Sequence, residues 1–320
     1  MDPPSENKLN EYVKPVKDSP FVREISVCLR AVLRSGNTIV RRDFDLKAED
    51  KPNEFVGHNS MLTAADTKSH EIIIKLMKKE APEAWIIAEE SKGEKKVLTE
   101  ANFADVIESG ATVFSFDEVD GTSAYAWDTS TWAVHAGCQI GLDHVAGAQY
   151  MPAINGGLLV FAVKGGGAWE VSGYYGGPKR LKAAKPLNDD HQKVSWYGPD
   201  SRIASNRAQF GKFLDKLTDE MRTPMITGSC GYGLALVARG STHLLFQPRH
   251  FIYDWHQGYP CVLEAGGKMI FFTHDNGKLK FHKKPAIGMY NPARKVAGFL
   301  AGEADTAEKW AKILKQLYTK

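Results

Sequence analysis

The chain has 320 residues, with 41 basic against 38 acidic side chains, a formal net charge of +3, and 43% hydrophobic residues. That length buries a large core, as one big domain or two smaller ones. The near-neutral balance without a basic block points away from a nucleic-acid partner, and no apolar run is long enough to span a bilayer.

Residues up to Ser19 read as a loose polar lead-in. They lack the apolar stretch of a signal peptide, which points to a cytoplasmic chain. Apolar residues at helical spacing (Val22, Ile25, Leu29, Val32, Leu33) predict a long helix over 21–42, followed by a polar loop over 43–59. A second helix is expected over 65–80, ending before Ala81-Pro82. Strands are expected at 85–88, 112–116, 132–140, 146–150, 157–163 and 168–171, with Gly156-Gly157 and Gly165-Gly166-Gly167 as turns. The polar stretch 181–192, with Pro186 and Asn188-Asp189-Asp190, marks a domain boundary between 1–180 and 181–320. Beyond it, strands at 193–197, 224–227, 242–246 and 268–272 alternate with helices at 206–217, 232–239, 254–265, 292–301 and 306–318. Such alternation predicts a layered α/β architecture. Cys28, Cys138, Cys230 and Cys261 are far apart with no C-x-x-C pair, which argues for packing roles over zinc or disulfides.

The apolar run Thr112-Val113-Phe114-Ser115-Phe116 leads straight into Asp117-Glu118-Val119-Asp120-Gly121-Thr122. A strand end and a tight turn would hold both aspartates on one side. Gly121 lets the backbone approach a ligand, and the following amides suit an anion. Alone, this pattern is a common solvated acidic turn. Three other acidic positions change its weight: Thr63-Ala64-Ala65-Asp66 at a helix start, Glu89-Glu90 after an apolar strand, and Asp254-Trp255 before a Gly-rich apolar stretch.

In this order the elements resemble the inositol monophosphatase family of metal-dependent, lithium-sensitive sugar phosphatases. That family writes them V-T-x-x-D, G-E-E, D-P-[IL]-D-G-T and W-D. Gly228-Ser229-Cys230-Gly231 is similar to its G-[ST]-A-A helix start, and the resemblance runs from about Asp66 to Gly267. It implies the five-layer αβαβα sugar-phosphatase fold. It also implies a Mg²⁺-dependent phosphomonoesterase, active on a small phosphorylated polyol or sugar and assembled as a homodimer. By resemblance, Glu89, Asp117 and the Val119 carbonyl hold one Mg²⁺, and Asp117, Asp120 and Asp254 a second. Asp66 and Thr122 orient and deprotonate the attacking water, near a third, weaker ion held with help from Glu89. Gly121, Thr122 and Ser123 receive phosphate oxygens, and Gly228, Ser229 and Gln247 face the substrate. The chemistry agrees with the residue types. Five carboxylates cannot all stay ionised in one cavity without cations, and hard oxygen ligands suit Mg²⁺. Two metals roughly 3.5–4 Å apart can bind a phosphoryl group, ionise a water and stabilise a leaving oxygen.

Several residues have blander alternatives. Asp66 and Asp254 are also ordinary helix-start acids. Glu90 is expected to face away from Glu89 along the strand, in a structural or solvated role. His135, where the family usually has a small residue, is read as a core or cleft histidine, like His243, His250 and His256. Trp127, Trp132 and Trp169 are read as packing residues. Glu118 replaces the family's Pro and is expected to point outward and loosen the turn. Ala124 stands where many members have Asn. Gln247 stands where inositol-selective members have Glu, which argues against inositol 1-phosphate as the preferred substrate. Fructose-1,6-bisphosphatase, 3′(2′),5′-bisphosphate nucleotidase and a non-catalytic metabolite-binding relative are the alternative readings.

Overall fold

A computed structural model describes residues 3–41, 49–51, 60–91, 93–174, 176–185, 193–196, 207–220, 223–226, 228–275, 278–294 and 297–319. The helices are α1 (Leu9–Tyr12), α2 (Val22–Ile39), α3 (Ala64–Glu80), α4 (Phe103–Glu108), α5 (Thr122–Ala126), α6 (Arg207–Glu220), α7 (Cys230–Ala238), α8 (Ile252–Trp255), α9 (Gly258–Glu264) and α10 (Ala304–Thr319). A small antiparallel pair, β1 (Glu49–Lys51) and β2 (Ser60–Leu62), leads into α3. Strand β1 falls within the stretch expected to be loop; the rest of 43–59 lies outside the described residues.

A seven-stranded sheet holds β3 (Trp85–Ala88), β4 (Thr112–Asp120), β5 (Ala133–Ile140), β6 (Asp143–Met151), β7 (Leu158–Val163), β8 (Gly167–Ser172) and β9 (Lys179–Arg180), in that spatial order. Only the β3–β4 pair of this sheet is parallel. The six-stranded sheet contains β10 (Lys193–Trp196), β11 (Thr223–Ile226), β12 (Leu244–His250), β13 (Gly267–Asp275), β14 (Lys278–His282) and β15 (Ala297–Glu303), in the order β11-β10-β12-β15-β13-β14. Helices α2 and α3 pack on the outer face of the first sheet, α7 and α9 lie between the sheets, and α6 and α10 cover the second. The layers therefore run αβαβα. Part of the expected domain boundary, 186–192, lies outside the described residues.

The apolar stripe of α2 (Ile25, Cys28, Leu29, Val32, Leu33, Ile39) is fully buried against β5, β6 and α3. The lead-in is not loose. Leu9, Tyr12 and Val16 are buried in the same core, and Asn37 Nδ2 donates to the Pro4 carbonyl at 2.9 Å. Charge patterning marked these residues as polar, but three apolar side chains suffice to dock short helical turns on α2.

The helix expected over 292–301 is not there where described: 292–294 form a turn and 297–301 belong to β15, which pairs with both β12 and β13 in the middle of its sheet. That strand is buried throughout, so it shows no period-2 alternation that would reveal a strand. The helix expected over 254–265 is two pieces, α8 and α9. Helix α4 and strand β14 were not anticipated. Trp132 is core, Trp169 is partly buried beneath the Arg180 guanidinium, and Trp127 is 71% exposed, contrary to a packing role. All four cysteines are free and buried. No helix among the described residues is long and apolar enough to cross a membrane.

Candidate metal centre

Strand β4 does not stop at Phe116; it carries the acidic motif itself and runs to Asp120. Asp117 pairs with His135 and Asp120 with Ala133, so three steps along β4 match two along β5. The extra residue is a β-bulge. Side chains three apart on a regular strand point to opposite faces; one inserted residue returns them to the same face. The bulge thus brings Asp117, Asp120 and His135 together, with ligand atoms within 4.8 Å of one another. Gly121 follows with φ of +89°, and a Cβ there would lie 2.7 Å from the Gly228 carbonyl. Only glycine makes this bend and this close approach. It turns the chain into α5 and seats it beside the start of α7.

Asp117 is buried, and its Oδ1 has no hydrogen-bond partner among the described residues. Burial pushes its carboxyl well above the usual range, and Asp120, Glu89, Asp254 and Glu118 add repulsion. Asp120 behaves oppositely. Burial raises it, but contacts from His135, Ser229 and Gly231 outweigh burial and hold it low. Ser229 Oγ donates to Asp120 Oδ2, Gly231 N donates to the same oxygen at 2.6 Å, and Cys230 N donates to Oδ1 at 3.2 Å. The α7 start expected to receive a substrate hydroxyl is therefore largely committed to Asp120, while Ser229 Oγ also caps α7 by accepting from Tyr232 N.

Asp66 accepts from both the amide and the hydroxyl of Thr63, at 2.8 and 2.6 Å, so its helix-start role is real. Its second oxygen receives the Thr122 hydroxyl at 3.3 Å, and Thr122 Oγ1 also lies 3.0 Å from the Val119 carbonyl. Burial raises Asp66 to about 7 in spite of the Thr63 hydrogen bonds. Asp254 likewise does two things: its Oδ2 accepts from Phe251 N at the start of α8, and its charge is felt at Asp117. His250 sits 2.8 Å from Asp254 Oδ2 through Nδ1 and 2.8 Å from Gln247 Oε1 through Nε2. Gln247 is fully buried, so it reaches the acidic group through His250. Ser123 is exposed, Gly121 and Thr122 are part-exposed, and Glu89 is half-buried just past β3.

One expectation is corrected. Glu118 does not point outward. It is buried and accepts from His70 Nδ1 at 2.6 Å, and His70 Nε2 meets Glu94 at 2.8 Å. His70 is one turn after Asp66 on α3, which brings its ring against β4. Burial opposes a charge on His70, but the two carboxylates outweigh it and raise the imidazole to about 9. Glu90, expected in a structural or solvated role, is buried, and its charge is felt at both Asp66 and Glu118. His256 matches the core reading: it is fully buried between Ser115 and Gln139. His135 was not expected in the acidic group. Its place follows from the β4–β5 register, for which the sequence offered only a histidine at an inward strand position.

The donor set fits a divalent cation. Oxygen-rich, mutually repelling carboxylates, with Asp117 Oδ1 buried and unpartnered among the described residues, call for a positive charge. The inositol monophosphatase family model matches residues 22–309. The Nus factor SuhB of Salmonella typhimurium is 28% identical over 250 residues, covering 78% of this chain and 85% of that relative. Among solved structures, the extragenic suppressor protein suhB from Bartonella henselae aligns with TM-score 0.69 at 20% identity, over 91% of this chain and 98% of that one. The Thermotoga maritima IMPase aligns with TM-score 0.67 at 19% identity, over 92% and 96%.

Proposed function

The chain belongs to the inositol monophosphatase family, and we propose that it is a Mg²⁺-dependent phosphomonoesterase that hydrolyses a small polyol or sugar phosphate by direct attack of water. The observation that carries this reading is the β4 bulge, which aims Asp117 and Asp120 into one buried group and leaves Asp117 Oδ1 unpartnered. Glu89, Asp117, the Val119 carbonyl, Asp120 and Asp254 would hold two cations. Bound there, Mg²⁺ supplies positive charge to the phosphoryl oxygens and acidifies a water.

The chain's own groups do the rest. Thr122 Oγ1 lies between Asp66 Oδ1 and the Val119 carbonyl, so it orients the attacking water and passes its proton toward Asp66. Amides of Gly121, Thr122 and Ser123 receive the non-reacting phosphate oxygens. Water forms the new bond to phosphorus as the ester P–O bond breaks, and the alcohol leaves with the proton that the water has given up through Asp66. Gln247 acts as a positioning residue through His250 rather than as a direct inositol contact.

The test is release of inorganic phosphate by the full chain from a panel of sugar, inositol and nucleotide monophosphates and bisphosphates, with Mg²⁺, with a chelator, and with added Li⁺. The reading expects Mg²⁺-dependent release from a polyol or sugar monoester, inhibited by Li⁺, with inositol 1-phosphate unexceptional. Preference for a bisphosphate would move the assignment to a bisphosphatase, and no release from any ester would leave a non-catalytic binder.

A further inference from the structure

His135 is the feature of the acidic group that its carboxylates do not explain. The side chain is fully buried on β5, directly opposite Asp117. Neither ring nitrogen makes a hydrogen bond among the described residues. Nε2 lies 3.1 Å from Asp120 Oδ2, a charge contact without hydrogen-bond alignment. Buried polar groups are normally satisfied, so an imidazole left this way calls for a reason.

The surroundings are shaped to accept the ring. A Cβ on Gly231 would lie 1.9 Å from both Cε1 and Nε2 of His135, so the first turn of α7 leaves the imidazole its space. Asp120 receives three donors from Ser229, Cys230 and Gly231 in addition to the His135 contact. Asp117 Oδ1, by contrast, has none. A donor atom from each of Asp117, Asp120 and His135 falls within 4.8 Å of the others, a spacing that one cation can bridge.

We propose that His135 is a nitrogen ligand of the cation held by Asp117 and Asp120, and that it turns this position toward a first-row transition metal such as Mn²⁺ over Mg²⁺. This rests on the cation-dependent site proposed above and adds a ligand and a metal preference to it. Carboxylate and carbonyl oxygens suit Mg²⁺ and Mn²⁺ alike, whereas imidazole favours the transition metals. Mg²⁺ keeps water in its place readily.

The experiment uses the full chain, stripped of metal, with Mn²⁺ alone and Mg²⁺ alone as probes. Calorimetry gives each affinity, and the electron spin echo of bound Mn²⁺ reports any directly bound imidazole nitrogen. The expected result is a nitrogen coupling in the wild-type protein that persists in His250→Gln and vanishes in His135→Val. Mn²⁺ affinity then falls roughly 10–100-fold in His135→Val, the range typical when groups supporting a metal are removed, while Mg²⁺ affinity holds. Bound Mn²⁺ with oxygen ligands alone overturns the inference and leaves the cation site standing. So does a coupling that survives His135→Val, or an equal loss of both metals. If neither ion binds the wild-type protein, the site and the inference fall together. Should His135→Val not fold, the wild-type and His250→Gln spectra decide: coupling in both supports the inference, and absence in either overturns it.

Discussion

Thr122 and Glu118 show how two residues of one short motif divide between chemistry and support. Thr122 Oγ1 touches Asp66 at 3.3 Å and the Val119 carbonyl at 3.0 Å, where a water-orienting hydroxyl is useful. Thr122→Ala should lower kcat by roughly 10²–10⁴-fold, the usual worth of acid–base assistance, with little change in KM, because the interaction matters mainly in the transition state. Steady-state kinetics on the best phosphate ester of the panel checks this, and a raised KM with unchanged kcat would assign Thr122 to binding alone. Glu118 never reaches solvent; it is the buried partner of His70. An outward Glu118 that merely loosened a turn would make Glu118→Pro stabilising. With the carboxylate serving a part-buried imidazole, the substitution should instead destabilise by about 1–3 kcal/mol, the cost of stranding a buried polar group. Urea denaturation of the two proteins measures the sign.

At the scale of elements, β4 and its bulge make the site, and they also mark where sequence reading stops. The apolar run ending in Asp117 was legible because a buried strand advertises itself by composition, and the strand β3 before Glu89 was legible for the same reason. The same-face placement of Asp120 was read correctly as an outcome but credited to a turn. Its true cause is a register shift against β5, set by pairing between strands rather than by either strand alone. His135 escaped for that reason too: its partner across the sheet, Asp117, is 18 residues away, and only the observed register joins them. Strand β15 was mistaken for part of a helix because burial on both faces erased its alternation. Gly121 joins β4 to α5 at φ +89°, under the Gly228 carbonyl. Gly121→Ala should cost at least about 1–2 kcal/mol from the left-handed backbone alone. The 2.7 Å approach adds to it and pushes β4 from α7, so activity should fall with stability. Chemical denaturation beside phosphate release tests both, and an unchanged pair would remove the structural role given to the bend.

Across the whole molecule, the two sheets are tied through a buried aromatic cluster with histidines at its centre. His144 on β6 meets the Tyr290 hydroxyl at 2.8 Å and packs against Trp255, His256 and Tyr259. Burial lowers His144 to about 3, so the folded protein holds it neutral where the unfolded chain binds a proton. Between its unfolded value of 6.5 and about 3, the unfolded state takes up more protons, and stability from this group falls as pH falls. From pH 7 to pH 5 the loss is about 2 kcal/mol. Carboxylates raised by burial act in the opposite direction, so the comparison that isolates the histidine is wild type against His144→Gln. The variant should lose about 2 kcal/mol less between those pH values by urea denaturation; identical pH dependence would contradict a neutral buried His144. The account as a whole turns on Asp117, the buried carboxylate with an unpartnered oxygen amid four other acids. Its most direct test is phosphate release by wild type and Asp117→Asn across a Mg²⁺ titration, with folding of both checked by thermal melting. The account predicts Mg²⁺-dependent turnover in the wild type and a loss of at least about 100-fold in the variant that saturating Mg²⁺ does not restore, beyond the 10–100-fold typical of groups that merely support a metal. A folded Asp117→Asn protein that turns over near the wild-type rate at saturating Mg²⁺ would contradict it.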